Sequence, residues 1–189
     1  MRTIVQWDSW EGNGVDHCSF VKNADSFVIE GVVIGNRSEG YAAHYHVRAD
    51  SDFYTREVRV EFVGGPRLHL LADGKGNWFD MISGHPVPSL AGCLDVDIAA
   101  TPATNTLPIK RLALKEQATH DILVAYIPLA TGIECDLVPR VMTQNYTCLI
   151  LGKRYRYEST PNGFTAELQV DQYDVVLDYP EMFRRRQSL

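Results

Sequence analysis

The sequence predicts a mainly β fold, a curled antiparallel sheet with little helix, and three observations lead there. The first is strict alternation. In residues 57–63, Val58, Val60 and Phe62 alternate with Glu57, Arg59 and Glu61. In residues 164–170, Phe164, Ala166, Leu168 and Val170 alternate with Thr165, Glu167 and Gln169. A period of two sends each set to its own face of a strand, and one wet face implies antiparallel pairing. The second is turn chemistry at short intervals: Asn23-Ala24-Asp25, Gly64-Gly65-Pro66, Asp73-Gly74-Lys75-Gly76 and Thr160-Pro161-Asn162-Gly163. The third is number. About a dozen strand-like runs follow one another, and strand twist forces a sheet of that size to curl or close.

In chain order, residues 3–7 form a first strand, with Trp7 and Trp10 near its end. Strands over 16–22 and 26–34 follow, then a loop at 35–40. Residues 41–47 alternate, with Tyr41, Ala43, Tyr45 and Val47 against Ala42, His44, His46 and Arg48. After 57–63, strands are predicted over 67–72 and 77–82, and 83–92 is a loop rich in Pro and Gly. Residues 108–114 suit a single helical turn with Pro at its first position, or else another strand; the helix is preferred. Residues 121–127 are strand-like, 137–142 and 145–151 form a pair, and 154–158 alternates. The hairpin signal at 160–163 leads into 164–170, and 175–179 closes the sheet. No repeat, low-complexity tract or linker divides the chain, so 1–189 is read as a single domain.

Composition narrows the function. With 24 acids against 18 bases the net charge is −6, which disfavours a nucleic-acid partner because phosphate neutralisation needs a basic face. The run Arg184-Arg185-Arg186 is read as a solvated tail. The N-terminal residues have early acids and no long apolar region, and no window approaches the ~20 apolar residues of a spanning helix. A cytoplasmic protein without a transmembrane segment is expected. Cys18, Cys93, Cys135 and Cys148 form no C-x-x-C pair, so four reduced thiols are expected.

The stretch 94–112, LDVDIAATPATNTLPIKRL, concentrates the chemistry. Asp95 and Asp97 are two apart and share one strand face. Thr101-Pro102 breaks the strand, since Pro donates no ladder hydrogen bond. Thr104, Asn105 and Thr106 are residues that hold turns through local hydrogen bonds. Asn105 is expected to satisfy backbone groups between Pro102 and Pro108, and Arg111 to neutralise Asp95 or Asp97. The two acids could serve sugar-bond hydrolysis, where two carboxylates flank the bond. A structural or binding role ranks above that, so no catalytic residue is assigned. His44 and His46 could ligate a metal from one strand face, but no third ligand is evident, and neither metal nor cofactor is expected. No nucleophile–base arrangement or phosphate-binding Gly loop is visible. The aromatic residues Trp7, Trp10, Trp78, Tyr146, Tyr155 and Tyr157 offer rigid surfaces with polar edges.

The same stretch resembles the hallmark of the putative glycolipid-binding family, a set of bacterial domains. The pattern D-x-D-x-x-x-T-P-x-T-N-x-L-P-I-x-R-L is met by Asp95, Asp97, Thr101, Pro102, Thr104, Asn105, Leu107, Pro108, Ile109, Arg111 and Leu112. Gly31-Val32-Val33, Gly76-Asn77-Trp78, Gln144-x-Tyr146-Thr147, Tyr155-Arg156-Tyr157 and Asp178-Tyr179-Pro180 follow the family's order. The resemblance implies a rolled β-sheet, a spiral or open barrel similar to lipoprotein-carrier half-barrels. Its concave face would take a small amphipathic, glycolipid-like ligand. The ligand-binding residues it suggests are Asp95, Asp97, Asn105, Arg111, Gln144, Tyr146, Tyr157 and Trp78. The alternatives are a hydrolase or isomerase using Asp95 and Asp97, and a structural or protein-interaction domain. Ligand identity and oligomeric state are open at this point.

Overall fold

The structure is a computed structural model and describes residues 2–36, 40–129, 137–160 and 163–186. It is mostly β, a large antiparallel sheet and a curled half-barrel sheet with one short α-helix. The chain begins as a meander: β1 (Arg2–Ser9), β2 (Val15–Lys22), β3 (Ser26–Gly35), β4 (Tyr41–Asp50), β5 (Thr55–Phe62), β6 (Arg67–Ala72), β7 (Trp78–Asp80) and β8 (His85–Pro86). Each pairs antiparallel with the next. The chain then leaves to build the second sheet from β9 (Asp95–Ile98), β10 (Thr119–Ile127), β11 (Arg140–Ile150), β12 (Arg154–Ser159) and β13 (Phe164–Gln169). Finally β14 (Asp178–Tyr179) and β15 (Phe183–Arg185) return to the first sheet, where β15 pairs with β1.

Alternation decides which side chains are covered. On β4 the buried set is Ala43, Tyr45, Val47 and Ala49, while His44 faces outward beside Glu30. On β5 it is Val58, Val60 and Phe62, as the period of two requires. The inner face of the large sheet packs against Val96 and Ile98 of β9 and Ala125 and Ile127 of β10. Trp7 is fully buried there, and its indole N–H donates to the Val176 carbonyl at 3.0 Å. The ring thereby gains the ~1.5–3 kcal/mol of a large buried side chain without leaving a donor unsatisfied.

Several elements differ from the sequence reading. Pairing is not antiparallel throughout: β9 runs parallel to β10, since the chain crosses between them through α1 (Thr106–Leu112). The expected pair at 137–142 and 145–151 is one unbroken strand, β11, because the buried alternation of Met142, Gln144, Tyr146 and Cys148 runs on through Asn145. The closing strand at 175–179 shrinks to Asp178–Tyr179. Before it, the Asp171 carboxylate accepts from the Tyr173 and Val175 amides and holds a loop there, with Asp174 left-handed at φ 59°. The arginine run is no solvated tail. Arg184 stacks on Trp10 at 3.9 Å, Arg185 pairs with Asp171 at 3.1 Å and Arg186 pairs with Asp8 at 2.5 Å. The hairpin signal at 160–163 closes β12 onto β13 across Ser159 and Phe164, while Pro161, Asn162 and Cys135 lie outside the described residues. Among the described residues, no helix is long and apolar enough to cross a membrane.

Candidate functional site

The second sheet has two unlike faces. Val96, Ile98, Ala125 and Ile127 look toward the large sheet. The concave face carries Val124, Met142, Tyr146, Cys148, Tyr155, Tyr157, Ala166 and Leu168. Parallel register sets Asp95 beside Val124 and Asp97 beside Tyr126, so both acids join that concave face. The hallmark then turns back as a helical plug. Ile109 and Leu112 of α1 pack into the same apolar cluster and close one end of the half-barrel.

The plug is tied down by its own polar residues. Thr104 Oγ1 accepts from the Ile98 amide at 3.3 Å, and Thr101 Oγ1 accepts from the Ala103 amide at 3.0 Å. The Asn105 amide donates to the Pro102 carbonyl at 3.1 Å, and its oxygen accepts from the buried Tyr146 phenol at 2.7 Å. Asn105→Ala is expected to leave the Tyr146 phenol open, while the Pro102 carbonyl keeps the Asn105 backbone N–H at 3.3 Å, and to lower stability by about 1–3 kcal/mol in a urea melt. An unchanged midpoint would mean that water satisfies the phenol.

Plug and strand divide the acid pair. Asp95 lies under the plug, fully buried, and accepts from Arg111 Nε at 3.0 Å and Nη2 at 2.5 Å. Burial pushes the Asp95 carboxyl up, and the hydrogen bonds and charge of Arg111 pull against it. Burial also opposes the charge on Arg111, but its hydrogen bonds to Asp95 outweigh this and hold its pKa up. Asp97 lies beyond the plug, where Gln144 Nε2 donates to its Oδ2 at 2.6 Å. Burial raises its pKa to about 6. Arg111 therefore serves Asp95 and not the pair.

The unplugged end of the half-barrel is an open cleft of about 360 Å³. Asp97, Thr101 and Ser159 bring polar groups to it, and Tyr126, Tyr157 and Tyr179 bring phenols. Met142, Phe164, Met182 and Phe183 supply apolar surface, the last two from the returning β14–β15 segment. The rings of Tyr157, Phe164 and Tyr179 meet pairwise at 6.0–6.2 Å, which gives a continuous aromatic wall. Burial pushes the Tyr157 and Tyr179 phenols up, so both remain protonated donors. Ser159 is 3% exposed, and its hydroxyl lies beside the Tyr157 phenol.

Behind the cleft, Thr101 leads to a buried cluster. Its hydroxyl donates to Asp16 Oδ2 at 2.5 Å, and the Tyr45 phenol donates to Asp16 Oδ1 at 2.9 Å. Burial raises Asp16 to about 7 against these two hydrogen bonds. With the folded pKa above the unfolded value of 3.8, stability from this group is full at low pH and lost as pH rises toward about 7. Asp97 acts in the same direction up to about 6. Asp16→Asn is expected to lose about 2–3 kcal/mol less than the wild type between pH 5 and pH 8. Denaturant melts at the two pH values measure this, and parallel losses would contradict it.

Of the residues expected to bind ligand, Asp97 and Tyr157 line the cleft. Gln144 stands behind Asp97, and Tyr146 stands behind Tyr157 with ring centroids 5.5 Å apart. Asp95, Arg111 and Asn105 hold the plug. Trp78 is buried in the large sheet, donates to the Cys93 carbonyl at 2.9 Å and does not line the cleft. Among the described residues, no group of three or more His, Cys, Asp or Glu is disposed to hold a metal ion. The sequence reading did not single out Tyr126, Met142, Ser159, Phe164, Tyr179 or Met182 as site residues. Concave-face alternation on β12 and β13 could have flagged Ser159 and Phe164. The returning segment is placed only by tertiary pairing and carried no such signal.

A family model described as "Putative glycolipid-binding" matches residues 4–185. Among solved structures, the crystal structure of a DUF1089 family protein from Pseudomonas aeruginosa is similar, with 36% identity, 92% of each chain covered and a TM-score of 0.77. No curated protein matches the chain.

Proposed function

The chain belongs to the putative glycolipid-binding family, and from that premise we propose that it binds a small amphipathic, glycolipid-like ligand in the cleft of the half-barrel. The carrying observation is the cleft's two-sided lining. Tyr157, Phe164, Tyr179, Met182 and Phe183 offer apolar cover, while Asp97, Thr101 and Ser159 gather polar atoms in the same cavity. Its volume lies in the range of small-molecule sites. Hydrocarbon would lie along the aromatic wall, and hydroxyl groups would meet Asp97 and Ser159. Asp95, Asn105 and Arg111 act on the ligand only by holding the plug, and Gln144 acts by fixing Asp97.

The second reading, a two-carboxylate hydrolase, needs both acids at one bond. The Asp95–Arg111 pair removes one of them to a sealed corner, which favours binding. Cys18, Cys93 and Cys148 are buried free thiols, which supports a reducing, cytoplasmic setting.

Decyl maltoside below its micelle concentration is the probe. Calorimetry should give saturable binding at about one per chain, as one ligand in this cleft requires. Phe164→Glu, with its folded state checked by circular dichroism, should abolish it. Absence of binding, or binding unchanged in Phe164→Glu, would remove the cleft as the site.

A further inference from the structure

We propose that the protein docks on an anionic bilayer surface through one end of its large sheet, where Val63, Met81 and Ile82 enter the lipid and Arg59 and Arg67 meet phosphate-bearing head groups. The case is independent of what the half-barrel cleft holds. It begins with a difference between the two ends of the meander. Strand directions alternate, so the β1–β2, β3–β4, β5–β6 and β7–β8 turns share one end, and the β2–β3, β4–β5 and β6–β7 turns share the other. The turns of the second end carry Asp25, Asp52 and Asp73 against Lys75, and none of them holds an exposed large apolar side chain. The first end is different. Val63 is 80% exposed in the β5–β6 turn, and Met81 and Ile82 are 45% and 50% exposed in the β7–β8 turn. β6 pairs with both β5 and β7, Glu61 against Arg67 and Leu70 against Asp80, so the two tips stand side by side. Their exposure is built into ordered turns. The Val63 amide donates to the Ala42 carbonyl at 2.8 Å, and the Ile82 amide donates to the Asp80 carboxylate at 2.9 Å. Apolar side chains clustered in water on turns fixed in this way mark a contact surface.

Charge indicates what covers them. Beside the tips lies an open groove of about 570 Å³. Arg59, Arg67, His44 and His69 line it against a single acid, Glu61, and Met81 and Ile82 border it. These cations gather on a chain whose net charge is −6. Arg59 is braced by Glu57 at 2.8 Å, and Arg67 is exposed. Guanidinium groups beside apolar tips match the interfacial layer of a bilayer, where hydrocarbon takes the tips and lipid phosphates meet the cations. A soluble phosphate would use the cations and leave the tips in water. The same end of the sheet also carries the returning wall of the cleft. Phe183 is registered against Ser9 at the end of β1, and the Met182 carbonyl accepts from the Trp10 amide at 2.9 Å. Docking by this end sets that wall on the bilayer side of the molecule.

Vesicle co-sedimentation tests this with the whole chain and no added ligand. Phosphatidylcholine vesicles with about 30% phosphatidylglycerol should bind at least about tenfold tighter than phosphatidylcholine alone, and raised salt should weaken the binding. Val63→Asp combined with Ile82→Asp should lower affinity at least about tenfold, and Arg67→Glu by about fivefold or more. Leu151→Asp is the control. Leu151 is 61% exposed, between β11 and β12 of the other sheet. Its replacement adds an acid away from the tips and should leave affinity within about twofold of wild type. Circular dichroism checks that each variant is folded. Absence of binding to the mixed vesicles, tip variants that bind like the wild type, or an equal loss in Leu151→Asp overturns the proposal. Displacement by inorganic phosphate at constant ionic strength would overturn it in favour of a soluble anion in the groove. A dimer in sedimentation velocity that dissociates in the Val63→Asp, Ile82→Asp variant would overturn it in favour of a second copy of the chain on the tips.

Discussion

Arg111→Ala is expected to be the most destabilising single change in the hallmark, with a loss of about 3–5 kcal/mol. The Arg111 side chain is 8% exposed and Asp95 is fully buried, so the pair is sealed from solvent. Removing the guanidinium leaves a buried carboxylate whose remaining environment only raises its pKa. It must take up a proton or draw water under the plug. The variant also loses the stacking of Arg111 over the Tyr54 ring at 5.4 Å. The midpoint of thermal unfolding should fall by roughly 6–15 °C for a chain of this size. The loss should be larger at pH 8 than at pH 5, because protonation relieves the stranded charge. Arg111→Lys should fall between, since an ammonium cannot match the two-pronged contact. Asp95→Leu combined with Arg111→Met should recover most of the loss, as an apolar pair of similar volume leaves no charge buried. Full stability of Arg111→Ala across this pH range would show that the pair does not hold the plug.

The second large effect is expected at Gly31. A β-carbon there would lie 2.3 Å from the Tyr45 phenol oxygen, 2.5 Å from Tyr45 Cζ and 2.8 Å from the His17 carbonyl. Space is the constraint at this residue, for Gly31 lies within the regular strand β3. Tyr45 can retreat only by releasing Asp16, to which it donates at 2.9 Å. Overpacking and loss of a hydrogen bond to a buried acid together should lower stability by about 3–5 kcal/mol. A urea melt of Gly31→Ala measures this. Gly31→Ala combined with Tyr45→Phe should remain well below the wild type, because the ring carbon and the His17 carbonyl still clash. If the single variant melts within about 0.5 kcal/mol of wild type, strand β3 can shift away at little cost.

How much of this was legible in the residues can be stated element by element. Val58, Val60 and Phe62 disclosed their buried face, since period two is a property of the strand itself. Asp95 and Asp97 disclosed their shared face for the same reason. Their different fates were not legible, because α1 covers the first and stops short of the second. Trp78 carried a family resemblance toward the ligand, yet its indole finds the Cys93 carbonyl in the large sheet. Asp16 looked like an ordinary strand opening. Only the approach of Tyr45 and Thr101, 29 and 85 residues away, makes it a buried acid. Ser159 and Phe164 could be placed on a face, but the cavity they border needs Tyr179 and Met182 from a segment that local pattern does not position.

That returning segment has a kinetic meaning. Trp7 is registered against Arg185, so the outer pairing of the large sheet joins residues separated by nearly the whole chain. Contacts of such separation bear the greatest loop-closure entropy and form late in folding. Tyr179, Met182 and Phe183 ride on the segment that makes this closure, and they are also one wall of the cleft. The segment that closes the sheet over this separation thus completes the cavity, and a ligand held there would act as a latch on that seam. Occupancy would slow the opening of β14 and β15 while leaving the β2–β7 meander to unfold at its own rate.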